Sequence, residues 1–362
     1  MDGAIGQFEA KLKRKSKSRQ KSAAQPGTGE LALLSTIRAR SQKMATAGRI
    51  SRVQLGIGDD CALLRPRAGE ELALTTDLSL EGRHFRLDWH PPESVGHRTL
   101  ARGLSDLAAM GAAPVAAFLS LGLPGALTVA NDGSRAWVDR FLDGLLALAA
   151  QHSVPLAGGD LAESPIAVAD IVLTGAVPRG KALLRSGARP GDLIYVTGSL
   201  GGAAAELAAL EKAPSSFAHR TSAPTAASAA NPHLYPQPRI AQGLWLRKNG
   251  RASAAMDLSD GLSTDLAHLC QESGVAAEIQ ASALPISSGA TLTMALHGGE
   301  DYELLFTAPA SANIPRKIAG IAVTKIGRVY PANNRRSKVT LVTESGAAPL
   351  EPRGWEHFSH RS

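Results

Sequence analysis

Cysteine is nearly absent: only Cys61 and Cys270 occur in 362 residues. Two thiols exclude a disulfide framework and a four-cysteine zinc site, and they suit a reducing, cytoplasmic setting. No stretch approaches the roughly 18 unbroken apolar residues that a membrane helix needs. The first residues lack the apolar core of a secretory signal. Histidines such as His84, His97, His268 and His297 show no metal-ligand spacing. A G-x-S-x-G nucleophile elbow is missing, which leaves no Ser/His/Asp hydrolase signal. What remains is a chain of 44% hydrophobic and 20% charged residues, the composition of a globular protein, and long enough for two domains.

The net charge of +7 is local. Residues 1–29 hold Lys11, Lys13, Arg14, Lys15, Lys17, Arg19 and Lys21 against Asp2 and Glu9, which is +5 of the total. The stretch has no periodic apolar face and reads as a disordered basic tail, a solvated extension ahead of the alternative that it binds nucleic acid or a membrane surface. Beyond it, two units of similar size are expected: residues 30–178, and residues 179–362 with a flexible loop at 213–235 rich in Ala, Ser and Pro. Strands and helices alternate in both, so the class is α/β (α+β). In the first unit a helix is expected over 30–46, a strand at 72–77 ending on Asp77, and an apolar stripe of Leu100, Leu104, Leu107 and Ala108 on a helix after a proline start. In the second, helices are expected over 201–211, 238–248, 262–271, 287–297 and 311–319, with strands between them.

Carboxylates recur at what read as the ends of elements: "GDD" (58–60), "TTD" (75–77), "GLSD" (103–106), "GGD" (158–160), "DLSDG" (257–261) and "GGED" (298–301). Each alone is an ordinary turn. Six of them, converging on one cleft, would offer the hard oxygens that Mg²⁺ takes alongside substrate phosphates. Asp106 lies off the apolar stripe of its helix, and periodicity alone makes it a solvated residue. Asp260 could equally cap the helix that follows it. "GAVPRGKA" (175–182) misses a phosphate-binding loop by one residue, because Ala182 has no hydroxyl for a metal. "GSLGGAAAEL" lacks dinucleotide-fingerprint spacing and reads as close helix packing.

Taken in order, "GIGDDCALL", "TTDLSLEGRHF", "GLSDLAAMGAAP", "LAGGD", "LLRSGARPGDLIYVTG", "MDLSDGLSTDL", "GGEDYELLF" and "GWEHF" resemble the thiamine-monophosphate kinase family, from about Gly29 to Phe358. The resemblance implies a two-domain architecture like that of aminoimidazole ribonucleotide synthetase, with a mixed N-terminal sheet that pairs across a homodimer. It implies ATP-dependent phosphorylation of thiamine monophosphate to thiamine diphosphate with more than one Mg²⁺, and no membrane association. Asp60, Thr75, Thr76, Asp77, Asp106, Asp160, Asp257 and Asp260 match its metal positions. Gly159, Asp160, Arg185 and Ser259 match its ATP contacts, and His84, Glu300 and Trp355 its substrate contacts. The family pattern is expected to carry Asn before "LSD", where this chain has Gly103. A different acceptor within the same ATP-using superfamily is the alternative. Selenophosphate synthesis is disfavoured by the lack of a cysteine in a glycine-rich N-terminal loop, and hydrogenase maturation by the lack of a terminal one. No catalytic acid or base is expected, since a phosphate nucleophile is already ionised at neutral pH.

Overall fold

The computed structural model describes residues 30–45, 52–130, 135–213, 231–332 and 338–355. The basic tail and most of the 213–235 segment therefore lie outside the described residues. The first unit runs α1 (Glu30–Ala45), β1 (Val53–Leu55), β2 (Leu63–Leu64), β3 (Glu70–Leu80), α2 (Pro92–Ala109), β4 (Ala113–Leu123), α3 (Trp137–Gln151), β5 (Leu156–Glu163) and β6 (Val168–Pro178). Four strands form a mixed sheet in the order β3-β6-β4-β5, with only β4 and β5 parallel. That pair is joined through α3, the crossover a parallel pair requires. Helices α2 and α3 cross closely because each offers a glycine. A Cβ on Gly96 would lie 1.9 Å from the Phe141 carbonyl oxygen, and one on Gly144 would lie 1.8 Å from that of Glu93.

The second unit runs β7 (Leu193–Thr197), α4 (Gly202–Lys212), α5 (Ile240–Lys248), β8 (Ala254–Asp257), α6 (Leu262–Ser273), β9 (Val275–Gln280), α7 (Leu292–His297), β10 (Leu304–Ala308), β11 (Lys317–Ile318), β12 (Ile321–Pro331), β13 (Val339–Thr343) and β14 (Gly346–Pro349). Its sheet has the order β14-β13-β9-β12-β7-β10-β8, with β11 hairpinned onto β12. Leu262, Leu266 and Leu269 of α6 are buried against one face of this sheet. Phe306 and Tyr195 on the other face join the cluster that contains Leu100, Leu104 and Phe141 of the first unit. Helix α5 packs directly on α2: a Cβ on Gly243 would lie 1.9 Å from the Ala108 carbonyl, and Arg247 Nε donates to Gly111 O at 2.6 Å.

Several expected elements differ. The 311–319 helix does not form, because Pro315 removes a donor in its middle. The chain instead makes the β11–β12 hairpin, pairing Ile318 with Ile321. The two linking residues, Ala319 and Gly320, both have positive φ, 47° and 85°, as a type I′ turn demands. The 287–297 helix shortens to α7. The end of the expected flexible loop is packed rather than loose: His233, Leu234 and Tyr235 are buried, and Glu206 of α4 accepts the His233 and Leu234 amides at 2.7 and 3.3 Å. The sequence hid this, since the groups that order these residues, Glu206 and Leu210 of α4, are distant along the chain. "GAVPRGKA" runs out of β6 into a turn with no helix after it.

Candidate active site

Three of the six acidic motifs lie in loops or at the element ends that lead into them, and three lie inside elements. "TTD" sits in the middle of β3, "GLSD" inside α2 and "GGD" inside β5. Interior placement fixes where each carboxylate points. On β3 the alternation of side chains puts Thr75, Asp77 and Ser79 on the face towards α2 and leaves Leu72, Leu74, Thr76 and Leu78 exposed on the other. On α2, Arg98, Arg102 and Asp106 recur every four residues and so share one face. Of the eighteen residues of α2, fifteen are buried, and Asp106 and Arg102 are among the three that are not. Their window opens onto a cleft rather than onto bulk water, which corrects the reading of Asp106 as solvated.

The cleft measures about 550 Å³ and lies between the two units. Asp77, His84, Asp106, Asp257, Ser259, Asp260, Glu300 and Trp355 line it. Thr75 adjoins it by donating its hydroxyl to Asp106 Oδ2. Ser105 Oγ donates to Asp257 Oδ2 at 2.7 Å, and Arg102 pairs with Asp77 at 3.1 Å. Burial pushes the Asp257 carboxyl up to about 7, with the Asp106 charge adding to it. Burial likewise raises Asp77 to about 6 against the pull of Arg102, and it raises Asp106. Three carboxyls therefore crowd one another in a place that resists their ionisation, the electrostatic condition a cation relieves.

Two loops of the second unit complete the floor. Glu300 N donates to Ser259 O at 2.8 Å and Tyr302 N to Leu258 O at 2.9 Å, while Trp355 N donates to Asp260 O at 3.1 Å. Glu300 and Tyr302 both hold left-handed φ, 66° and 50°, a strained pair that turns the Glu300 side chain into the cleft. Asp260 does not cap α6. The amides of Asp260 and Gly261 donate instead to Asp265 Oδ2 at 3.1 and 3.0 Å, so the capping task falls to a carboxylate one turn inside the helix. Asp260, Asp265 and His268 bring ligand atoms within 4.8 Å of one another.

The remaining candidates fall elsewhere. Asp60 and Asp160 are exposed, and neither lines the cleft. Their segments are neighbours, since Gly56 lies against Ala157 of β5. Asp59 accepts the Asp60 amide at 3.0 Å, and Asp160 accepts that of Leu161 at 2.9 Å. Gly159 has φ 145°, and a Cβ there would lie 1.8 Å from the Leu119 carbonyl, so only glycine lets β5 approach β4 in that register. Arg185 is exposed outside the lining, yet its charge draws down the Asp106 and Asp257 carboxyls. Thr76 turns its hydroxyl away from Asp77. Arg98, Arg102 and Ser105 were not expected in the site. Their four-residue spacing from Asp106, or adjacency to it, was the available signal.

The family described as AIR synthase related protein, N-terminal domain, matches residues 58–180, and its C-terminal-domain counterpart matches residues 189–339. A thiamine-monophosphate kinase of Salmonella typhimurium is 38% identical over 323 residues, covering 85% of this chain and 93% of the relative. The chain belongs to the thiamine-monophosphate kinase family. The crystal structure of a family member from Stenotrophomonas maltophilia superposes with a TM-score of 0.70 at 38% identity, over 89% of this chain and 98% of that one. A second, AaThiL complexed with AMPPCP and TMP, gives a TM-score of 0.67 at 31% identity, over 91% and 97%. The two-domain mixed α/β architecture expected from the resemblance is that of this family.

Proposed function

We propose that the protein transfers the γ-phosphoryl group of ATP to thiamine monophosphate, giving thiamine diphosphate and ADP. The observation that carries this reading is the cluster of Asp77, Asp106 and Asp257, three carboxyls crowded in a cleft between two units, in a chain whose relatives are kinases of that substrate. An acceptor phosphate oxygen attacks the γ-phosphorus, and the bond to the β–γ bridging oxygen breaks with its electron pair going to ADP. No general base is needed, because the attacking oxygen is already ionised.

The donor set fits Mg²⁺: it is all oxygen, mostly carboxylate, and too crowded with like charge to stay ionised alone. Asp77, Asp106, Asp257 and Asp260, which line the cleft, would hold the metal with Thr75 beside them, whereas Asp60, Thr76 and Asp160, which lie outside its lining, enter the set by the family resemblance alone. When bound, Mg²⁺ supplies the screening that lets two anionic phosphates meet. Ser105 and Thr75 fix the carboxylates to which they donate. Arg185, Ser259, Gly159 and Asp160 serve the ATP side. His84, Glu300 and Trp355 serve the thiamine side, where Trp355 offers a face to a cationic ring, worth about 0.5–2 kcal/mol. His84 Nδ1 accepts the Leu80 amide at 3.0 Å, which leaves its Nε2 as the nitrogen that carries a proton. Incubation with MgATP and thiamine monophosphate should yield thiamine diphosphate by mass spectrometry, while free thiamine stays unphosphorylated. No diphosphate, or equal use of thiamine, would refute the reading.

The proposed assembly is a homodimer in a reducing cytoplasm. Leu72, Leu74 and Leu78 are 45, 67 and 49% exposed on one face of the edge strand β3, an apolar stripe that water does not favour. A second copy of the same face would bury it isologously. Leu74→Arg is expected to convert the dimer to monomer in sedimentation velocity. A wild-type protein that sediments as a monomer at micromolar concentration would contradict the assignment.

A further inference from the structure

Arg98 is a charged residue that is only 4% exposed, and it reaches three separate segments. Its Nη2 donates to Glu300 Oε1 at 2.6 Å and to the His84 carbonyl at 3.2 Å. Its Nη1 donates to the His233 carbonyl. The two residues proposed to meet the acceptor, one from each unit, thus hang on one guanidinium.

Glu300 has a second support. His233 Nδ1 lies 3.1 Å from Glu300 Oε2, and His233 Nε2 lies 3.0 Å from His90 Nε2. His233 Nδ1 also lies 2.9 Å from Arg98 Nη1, and His90 Nδ1 lies 3.2 Å from both the Arg86 amide and the Arg86 carbonyl. A neutral His233 can therefore donate from Nδ1 to Glu300 and accept at Nε2 from His90, or accept at Nδ1 from Arg98 and donate from Nε2 to His90. The first arrangement bonds Glu300 directly and the second steadies the guanidinium that does, and in both His90 is the partner of His233 Nε2. Both imidazoles are buried, and burial holds His90 down to about 3 and lowers His233, so both stay neutral. Burial opposes ionisation of Glu300, yet Arg98 and His233 together hold its carboxyl well below the ordinary carboxylate range.

We infer that Arg98, His233 and His90 are positioning residues for the acceptor end of the cleft. They fix the Glu300 carboxylate and the His84 main chain in one arrangement, so that the remaining carboxylate lone pairs meet an N–H donor or the positive ring of a heteroaromatic acceptor. The inference rests on Glu300 being an acceptor contact, as proposed above.

A ring held on both sides keeps one tautomer. In ¹⁵N-labelled holoprotein, imidazole long-range ¹H–¹⁵N spectra should show His233 neutral and in a single tautomer between pH 6 and 8. Averaged shifts from two interconverting tautomers would overturn the inference, and this readout does not depend on which reaction the protein performs. His90→Leu removes the partner of His233 Nε2, whereas His90→Gln keeps a polar group there that can donate or accept. The leucine variant should raise KM for thiamine monophosphate ~10-fold, with kcat and KM for ATP within about twofold, and the glutamine variant should restore KM to within about threefold. A leucine variant with unchanged KM, or with kcat reduced instead, would also overturn it. Should the leucine variant fail to fold, the wild-type spectrum still decides. Should wild type make no thiamine diphosphate, the functional reading fails while the proton assignment is still tested.

Discussion

Asp257→Asn should lower ATP-dependent formation of thiamine diphosphate by about a thousandfold, the scale of losing one electrostatic contact made to the transition state, while leaving the fold as stable as before or more so. Asp257 is buried and faces Asp106, and burial lifts its carboxyl to about 7. An amide of the same shape still accepts from Ser105, which donates at 2.7 Å, and it carries no charge for the interior to resist. The sign follows from linkage. The carboxyl ionises near its ordinary value in the unfolded chain but only near 7 in the folded one, so wild type loses stability as pH rises from about 4 to 7. The variant does not, so its advantage in metal-free denaturant titrations should be smallest near pH 4 and largest above pH 7. Near-normal turnover would remove Asp257 from the metal set. A variant less stable than wild type at pH 8 would show that the charge is compensated in a way the geometry does not contain.

Gly103→Asn should destabilise the protein by about 2–5 kcal/mol, combining overpacking with burial of an unpaired amide. A Cβ at this position of α2 would lie 2.5 Å from Leu173 Cδ1, and Leu173 on β6 is fully buried. The space that an asparagine before "LSD" would need is filled here by a leucine from the sheet. Leu173→Ala alone should cost about 2–5 kcal/mol through its cavity. The double variant should then cost less than the sum, with a coupling of about 1–3 kcal/mol in urea denaturation. Strictly additive costs would mean that the two side chains do not compete for one volume.

These two residues also mark where sequence reasoning succeeds and where it stops. Leu100, Leu104 and Leu107 announce α2 by their spacing, and all three are buried. Periodicity then assumes that the residues off the stripe meet water. That fails for a helix buried on nearly every side, where the open window is a cleft shared with another unit. Asp77 and Asp160 read as strand ends because Asp and Gly favour turns. Pairing across the full length of β3 with β6, and of β5 with β4, outweighed that local preference. The sets at 257–261 and 298–301 do fall in loops, where turn chemistry and topology agree. Segment 231–236 shows the reverse failure. Its composition matches a loose loop, but its order comes from non-local partners: Glu206, Arg98, and Pro236 O accepting from His97 Nε2 at 2.7 Å. Nothing in a linear reading brings residues 97 and 236 together.

The four-residue recurrence of Arg98, Arg102 and Asp106 makes α2 a ruler. Eight residues of α-helix span about 12 Å, so the distance from the Glu300 anchor to the carboxylate that faces the phosphates is set by helix pitch and not by loop conformation. Helix α5 clamps the same rod where Gly243 meets the Ala108 carbonyl, one residue short of its end. A molecule gripped at one mark presents its reacting atom at the other only if its own length agrees. Deleting a single residue between positions 98 and 106 would both shorten the gauge and rotate its far mark by about 100°, turning Asp106 out of the cleft while leaving the helix intact.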